Sequence, residues 1–285
     1  MAIITNQAQL SYNNTVVNSN VAVGEVVDAL SMTKTAVMGD YSRGDDVTYI
    51  ISIVNAETTD LAGITVTDNL GGYTFDTGTV YPLDYVPDSV RMYVNGALQQ
   101  TAPTVNAGPP LSFGGITVPA GGNVMLVYEA SVNRFAPLAE GATIVNTASM
   151  TTPARADAVT ASETVTAESE PELTISKSME PTTIPMNGTV MYTFLIQNSG
   201  NREAAAGDNV AVSDTFLPVL NNLTVSLDDA PLTEGTQYTY DAATGVFRTV
   251  DGVVTVPAAT YTQDPTTGAY VTTPGVARLV VSGTI

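Results

Sequence analysis

Apolar and polar side chains alternate in short runs along the whole chain, and clusters of Gly, Pro, Asn and Asp separate the runs. In Val47-Thr48-Tyr49-Ile50-Ile51-Ser52-Ile53-Val54-Asn55 and in Val124-Met125-Leu126-Val127-Tyr128-Glu129-Ala130-Ser131-Val132, one set of alternate positions is apolar, the signature of a strand with one face turned to a core. No stretch sustains a helical period, so the predicted class is all-β. Strands of this kind bury their apolar faces by packing as two layers, which predicts β-sandwiches. A length of 285 residues allows about two of them.

The chain also repeats itself. Val47 to Asn55 corresponds to Val190-Met191-Tyr192-Thr193-Phe194-Leu195-Ile196-Gln197-Asn198, each run ending in Asn at a turn. Gly63 to Leu70 corresponds to Asn209 to Phe216, and Val124 to Tyr128 corresponds to Ala277 to Val281. Two copies of one sandwich module are expected, a complete one over residues 29–150 and a second over 173–285. Residues 151–172, small and acidic with Glu163, Glu168, Glu170 and Glu172, read as the connector between them, with part of it as extended strand.

These repeats resemble a known family, the conserved-repeat modules of bacterial surface proteins called domain of unknown function eleven. The resemblance is carried by Leu-x-Ile-x-Lys-Ser (Leu173 to Ser178), Val-x-Tyr-x-x-x-Ile-x-Asn (Val190 to Asn198), Val-x-Val-x-Asp (Val210 to Asp214) and Ile-Val-Asn-Thr-Ala (Ile144 to Ala148), and it covers nearly the whole chain. It implies immunoglobulin-like sandwiches of about seven strands. Related pilin and adhesin domains of Gram-positive bacteria form Lys-Asn isopeptide bonds, so it also implies that chemistry.

Three kinds of polar residue stand on the wrong face. Alternation groups Lys34 with Leu30 and Met32, and Lys177 with Leu173, Ile175 and Met179. These two lysines occupy the same register of the repeat. Asp68 shares a face with Ile64, Val66 and Leu70, its counterpart Asp214 shares one with Val210, Val212 and Phe216, and Asn146 falls among Ile144, Ala148 and Met150. A buried lysine tends to lose its proton and become a nucleophilic amine, whereas a buried aspartate tends to keep its proton. Protonated aspartate can polarise an asparagine carboxamide toward attack by that amine and shuttle protons as ammonia leaves. The expected product is a Lys34–Asn146 isopeptide bond promoted by Asp68. Glu129, a rival acid, alternates outward. The plainer alternative is a Lys–Asp ion pair with an asparagine hydrogen-bonded beside it, or a lysine that snorkels to the rim.

The phase of the repeat is shifted. Ile285 aligns with Val132, which leaves the second module without a counterpart of its neighbour's last strand. At the other end, Ile3-Ile4-Thr5-Asn6-Gln7-Ala8-Gln9-Leu10 aligns without gaps on Thr143 to Met150. Residues 1–12 are therefore expected to act as a donor strand whose inward face is Ile4, Asn6, Ala8 and Leu10, with 13–28 as a connector. Such a strand completes the second module of another copy, a heterologous contact that propagates as a head-to-tail homopolymer. Asn6 would then meet Lys177 and Asp214 and weld subunits covalently. Closure of the strand onto its own second module is the intramolecular alternative.

Composition narrows the functions further. The 28 acidic side chains outnumber 9 basic ones for a net charge of −19, which argues against nucleic acid and anionic membrane as partners. Without His or Cys the chain has no Ser-His-Asp triad, thiol nucleophile or disulfide. No cofactor motif is visible and no metal site is expected, since Asp40, Asp45, Asp46, Asp228 and Asp229 lie in turn-like segments without calcium-loop spacing. The first residues lack the pattern of a signal peptide, no segment reaches a bilayer span, and the export route stays open. Two readings follow: a non-enzymatic subunit of an extracellular filament on a cell or spore surface, with an anchor or tip protein as a further partner, or an adhesin or spacer binding a carbohydrate or protein through Tyr- and Thr-rich loops such as 73–86 and 261–273.

Overall fold

A computed structural model of the chain describes residues 2–13, 15–26 and 29–285. The described residues are all-β, with one short 3-10 turn at Ala206–Asp208. The chain divides into two compact units, one built mainly from Gly44–Val132 and Val145–Val165 with the residues up to Gly39, the other mainly from Thr166–Ile285.

The first unit opens with an exposed arm. Strands β1 (Ala2–Asn6) and β2 (Gln9–Tyr12) turn back at Asn13 into β3 (Thr15–Asn18) and β4 (Ala22–Val26). Pairing runs from Ala2 opposite Val26 to Tyr12 opposite Thr15, and Asn13, at φ 43°, supplies the left-handed residue that a tight hairpin turn requires. The segment 13–28, expected as a connector, is thus largely the second strand of a hairpin; Asn14, Val27 and Asp28 lie outside the described residues.

The sandwich of this unit follows the alternation of its sequence. One sheet places β5 (Leu30–Ala36) beside β6 (Asp46–Asn55), antiparallel with Lys34 opposite Ile51. The other contains β7 (Leu61–Asp68) and β8 (Leu111–Val118), while β9 (Asn123–Val132) returns to the first sheet beside β6, with Tyr128 opposite Tyr49. Then β10 (Thr143–Thr152) joins β7, with Ala148 opposite Asp68, and β11 (Arg155–Ala167) follows β10 in the same sheet. The inward residues Ile51, Ile53, Ile64, Val66, Phe113, Leu126 and Tyr128 are fully buried between the layers. Most of 151–172, expected as a connector, is therefore strand belonging to this sandwich.

The second unit repeats the first sheet and only part of the second. Its larger sheet orders β12 (Leu173–Glu180), β13 (Thr189–Asn198), β18 (Gly275–Thr284) and β15 (Asn221–Leu227), where β18 is the last labelled strand. Opposite stand three short strands in the order β14 (Ser213–Thr215), β17 (Val246–Thr249), β16 (Tyr238–Asp241). Val190, Phe194, Phe216, Phe247, Leu279 and Val281 fill the core between them. By the sequence repeat β14 is the counterpart of β7, but it is an edge strand, whereas β7 is flanked by β10 and then β11.

That difference shows at the first strand of each unit. Leu30 and Met32 of β5 are 2% and 7% exposed, whereas Leu173 and Ile175, in the same register of β12, are 36% and 57% exposed. Their alternation predicts a buried face, and in this unit that face is uncovered. No helix among the described residues is long and apolar enough to cross a membrane.

Candidate functional site

Three strands bring Lys34, Asp68 and Asn146 to the inner surface of the first unit. Alternation along β5 turns Lys34 inward with Leu30 and Met32, so its ammonium lies above the Tyr49 ring, 4.7 Å from the centroid, and 6.0 Å from that of Tyr128. Asp68 ends β7 where the chain enters a turn. Its Oδ1 accepts the Leu70 N–H at 2.8 Å, and its Oδ2 accepts from both Lys34 Nζ and the Tyr128 hydroxyl. The Lys34 and Asp68 side chains are fully buried. Asn69 then clamps β10 beside Asn146: its N–H donates to the Thr147 carbonyl at 3.0 Å, and its Oδ1 accepts the Thr147 N–H at 2.8 Å.

Burial sets the protonation of this cluster. Desolvation lowers the Lys34 pKa from 10.5 to about 8 against the opposing pull of Asp68 and a weaker one from Glu163. Roughly a tenth of the amine is then neutral at pH 7. Tyr128 is pushed in the opposite direction, well above the usual phenol range, first by burial and then by the Asp68 carboxylate, while the neighbouring Asn146 carboxamide acts weakly the other way. The phenol therefore stays protonated and holds Asp68 as a donor.

Asn146 is the outlier among the buried asparagines. Asn55 and Asn198, the turn residues that end matching strands of the repeat, are as buried but fully engaged. Asn55 Nδ2 donates to the carbonyls of Thr59, Val118 and Pro119, and its Oδ1 accepts the Glu57 N–H. Asn198 does the same with Arg202 and Pro257, and with the N–H groups of Glu172 and Gly200. Those two are structural. Asn146 has no exposed surface, and neither its Oδ1 nor its Nδ2 makes a hydrogen bond. A buried carboxamide without partners costs about 1–3 kcal/mol, so its presence needs another reason. A partly neutral amine, a carboxyl group and an unengaged carboxamide are the reactants and catalyst for forming an amide with release of ammonia.

The second unit holds half of the same arrangement. Lys177 pairs with Asp214, under the rings of Tyr192, Phe194 and Phe216 at 4.6, 5.3 and 5.2 Å. The pair is not buried as alternation predicts: the lysine and aspartate side chains are 39% and 21% exposed. The Thr215 N–H, whose counterpart on Asn69 binds the neighbouring strand, turns instead onto Asp214 Oδ1 at 2.9 Å. Val281 replaces Tyr128 in the repeat, so Asp214 has no phenol donor at that position. Asn6 lies on the exposed arm, opposite Ala22.

Sequence reasoning overlooked Tyr128, Asn69 and Glu163. The alternation of β9 already turns Tyr128 inward, and a buried tyrosine needs a partner for its hydroxyl, so a signal was present. Glu129 is half-buried on the opposite phase of that strand, and the acid that influences Lys34 besides Asp68 is Glu163 of β11. Asp228 and Asp229 occupy left-handed turn positions and engage Arg278, and no group of three or more acidic residues placed to hold a metal occurs among the described residues.

No protein-family model matches the chain, and no curated protein matches it. Solved structures do align with it at low identity. The major pilin subunit of Bacillus cereus aligns at 10% identity over 87% of this chain and 63% of that chain, with a TM-score of 0.37. The pilus backbone from Streptococcus pneumoniae aligns at 11% identity over 86% and 55%, with a TM-score of 0.36. The collagen-binding domain from a Staphylococcus aureus adhesin aligns at 12% identity over 50% of this chain and 99% of that chain, with a TM-score of 0.32. The chain thus spans little more than half the length of the two pilins, and superpositions of this quality assign no function.

Proposed function

We propose that this protein is a structural subunit of an extracellular filament, polymerised head to tail when the N-terminal strand of one copy completes the second unit of the next, and crosslinked by Lys-Asn isopeptide bonds. The observation that carries the reading is the contrast between matching strands. The apolar face of β5 is buried, while that of β12 is exposed in a unit where β14, the counterpart of β7, is an edge strand, and the N-terminal segment aligns with β10 without gaps, sharing the Ile, Asn and Ala of its inward face. Ile4 and Leu10, the donor residues, are themselves 59% and 63% exposed, so donor and acceptor each hold an apolar surface that needs cover.

Within a subunit, neutral Lys34 Nζ attacks Asn146 Cγ; the new C–N bond replaces the C–NH2 bond, the amine proton passes through Asp68 to the leaving group, and ammonia departs. Between subunits, Asn6 of the donor reaches Lys177 and Asp214, and docking buries the lysine that is exposed in the free unit. Nothing is oxidised or reduced, and no cofactor takes part. The Lys34–Asn146 bond ties the first strand of one sheet to the β10 strand of the other, so a pulling force meets a covalent tie before it unzips the layers.

Peptide mass spectrometry of boiled, denatured material tests this directly. Crosslinked Asn146–Lys34 and Asn6–Lys177 peptides are expected, each lighter by about 17 Da for lost ammonia, the second in bands larger than monomer. Asn6–Lys177 found only in monomers means intramolecular closure, and absence of both removes the crosslinking chemistry. In Lys177→Ala the covalent ladder is lost while assembly persists.

A further inference from the structure

At the edge of the second unit, more than one strand position stands unoccupied among the described residues. In the first unit β7 is followed across the sheet by β10 and β11, which form a hairpin with a two-residue turn after Thr152; beside β14 both positions are unoccupied among the described residues. The N-terminal arm has the same construction. Tyr12 aligns with Thr152 and Thr15 with Arg155, so its turn falls where the β10–β11 turn falls, and both of its strands are present and paired.

We propose that the donated element is the whole hairpin of residues 2–26 from a second copy of this chain, restoring two strands to the acceptor sheet. This rests on the head-to-tail assembly proposed above and specifies what is handed over. An isolated two-stranded hairpin is marginally stable in water, so the arm gains by docking as a unit on a sheet that continues it. Its second strand carries an exposed apolar residue of its own on the inward face, Val17 at 48%, which a single donated strand would leave in water. On the side of Asn6 and Leu10, the second strand presents Ala22, Gly24 and Val17, small enough to lie against the acceptor core. No Asp, Glu, Lys or Arg occurs between Met1 and Gly24, whereas the molecule as a whole carries −19. Glu25 is the one charged side chain of residues 2–26, so the arm approaches another copy with little repulsion.

The pairing of β10 with β7 fixes the register of docking. Ala148 opposes Asp68 and Met150 opposes Val66, which places Ala8 opposite Asp214 and Leu10 opposite Val212. The Asn69 N–H donates to the Thr147 carbonyl, which assigns the Thr215 N–H to the Gln7 carbonyl of the donor. The second strand then forms the new sheet edge, backed by the first.

Hydrogen exchange on assembled wild-type filaments, read by mass spectrometry, distinguishes a hairpin from a strand. Amides of both 2–12 and 15–26 are expected to exchange at least about 100-fold more slowly than unstructured chain, together with those of 213–215. Protection of 2–12 and 213–215 without 15–26 overturns the hairpin and leaves single-strand donation standing. Failure of the chain to assemble, or protection in none of these segments, overturns both. Replacing 15–26 by a Gly-Ser segment of equal length keeps the first strand and leaves the core residues of both units themselves unchanged. It is expected to reduce the amount of polymer at least about tenfold, and unchanged assembly of that variant also overturns the hairpin.

Discussion

Lys34 is held where its charge is unwelcome, and pH exposes this. Burial lowers its folded pKa to about 8 from 10.5, so between those values the unfolded chain binds more protons than the folded one, and stability must rise with pH. The contribution is on the order of 3 kcal/mol across the full window, absent well below pH 8. Tyr128, shifted upward, acts in the opposite sense only above its ordinary value near 10, so pH 8 to 10 is the clean range. The measurement belongs on Asn146→Ala, which keeps the free amine: its denaturation midpoint is expected to climb from pH 8 to pH 10, while a chain whose Lys34 is already an amide shows no such climb. A flat profile in Asn146→Ala means that Lys34 stays charged in the fold. At this scale the placement of Lys34, Asp68 and Asn146 on inward faces was legible, because alternation alone sets it. The roles of Tyr128 and Asn69 were not, since they depend on which strands become neighbours.

Elements show where a strand pattern states an intention that the described residues do not complete. The alternation of Leu173, Ile175 and Lys177 is as clear as that of Leu30, Met32 and Lys34, yet only the second set is buried. Periodicity reports which face is made for burial, not whether the covering strand belongs to the same molecule. The arm illustrates a second gap: residues 13–28 read as a connector, whereas backbone pairing makes strands of Thr15–Asn18 and Ala22–Val26. Matching substitutions separate the two first strands. Met32→Asp puts a charge into a closed core and is expected to unfold the first unit, at about 3 kcal/mol or more. Ile175→Asp changes an exposed site, so the subunit should keep its melting temperature within a few degrees and lose filament formation, as seen by light scattering and electron microscopy. Ile175→Asp chains that still polymerise rule out β12 as part of the acceptor.

At the scale of the whole molecule, the proposed assembly would bring together copies that each carry −19 at neutral pH. Like charges of this size repel over about a Debye length, roughly 10 Å at 0.1 M salt and 30 Å at 0.01 M. The proposed docking uses an arm whose one charged side chain is Glu25 and an apolar face, so salt should do little to the joint once it forms and much to the encounter that precedes it. The association rate of subunits is therefore expected to rise at least about tenfold between 0.01 M and 0.3 M salt, while the dissociation rate of Lys177→Ala filaments, which lack the covalent joint, stays nearly constant. Stopped-flow light scattering for growth and dilution experiments for loss give the two rates separately. A joint held instead by ion pairs would show the reverse, with dissociation accelerating in salt and growth slowing. The same logic bears on the proposed crosslink. Repulsion along such a filament would act continually on every joint, and a bond formed only after the arm has docked would convert a reversible contact into a permanent one without making the free subunit adhesive.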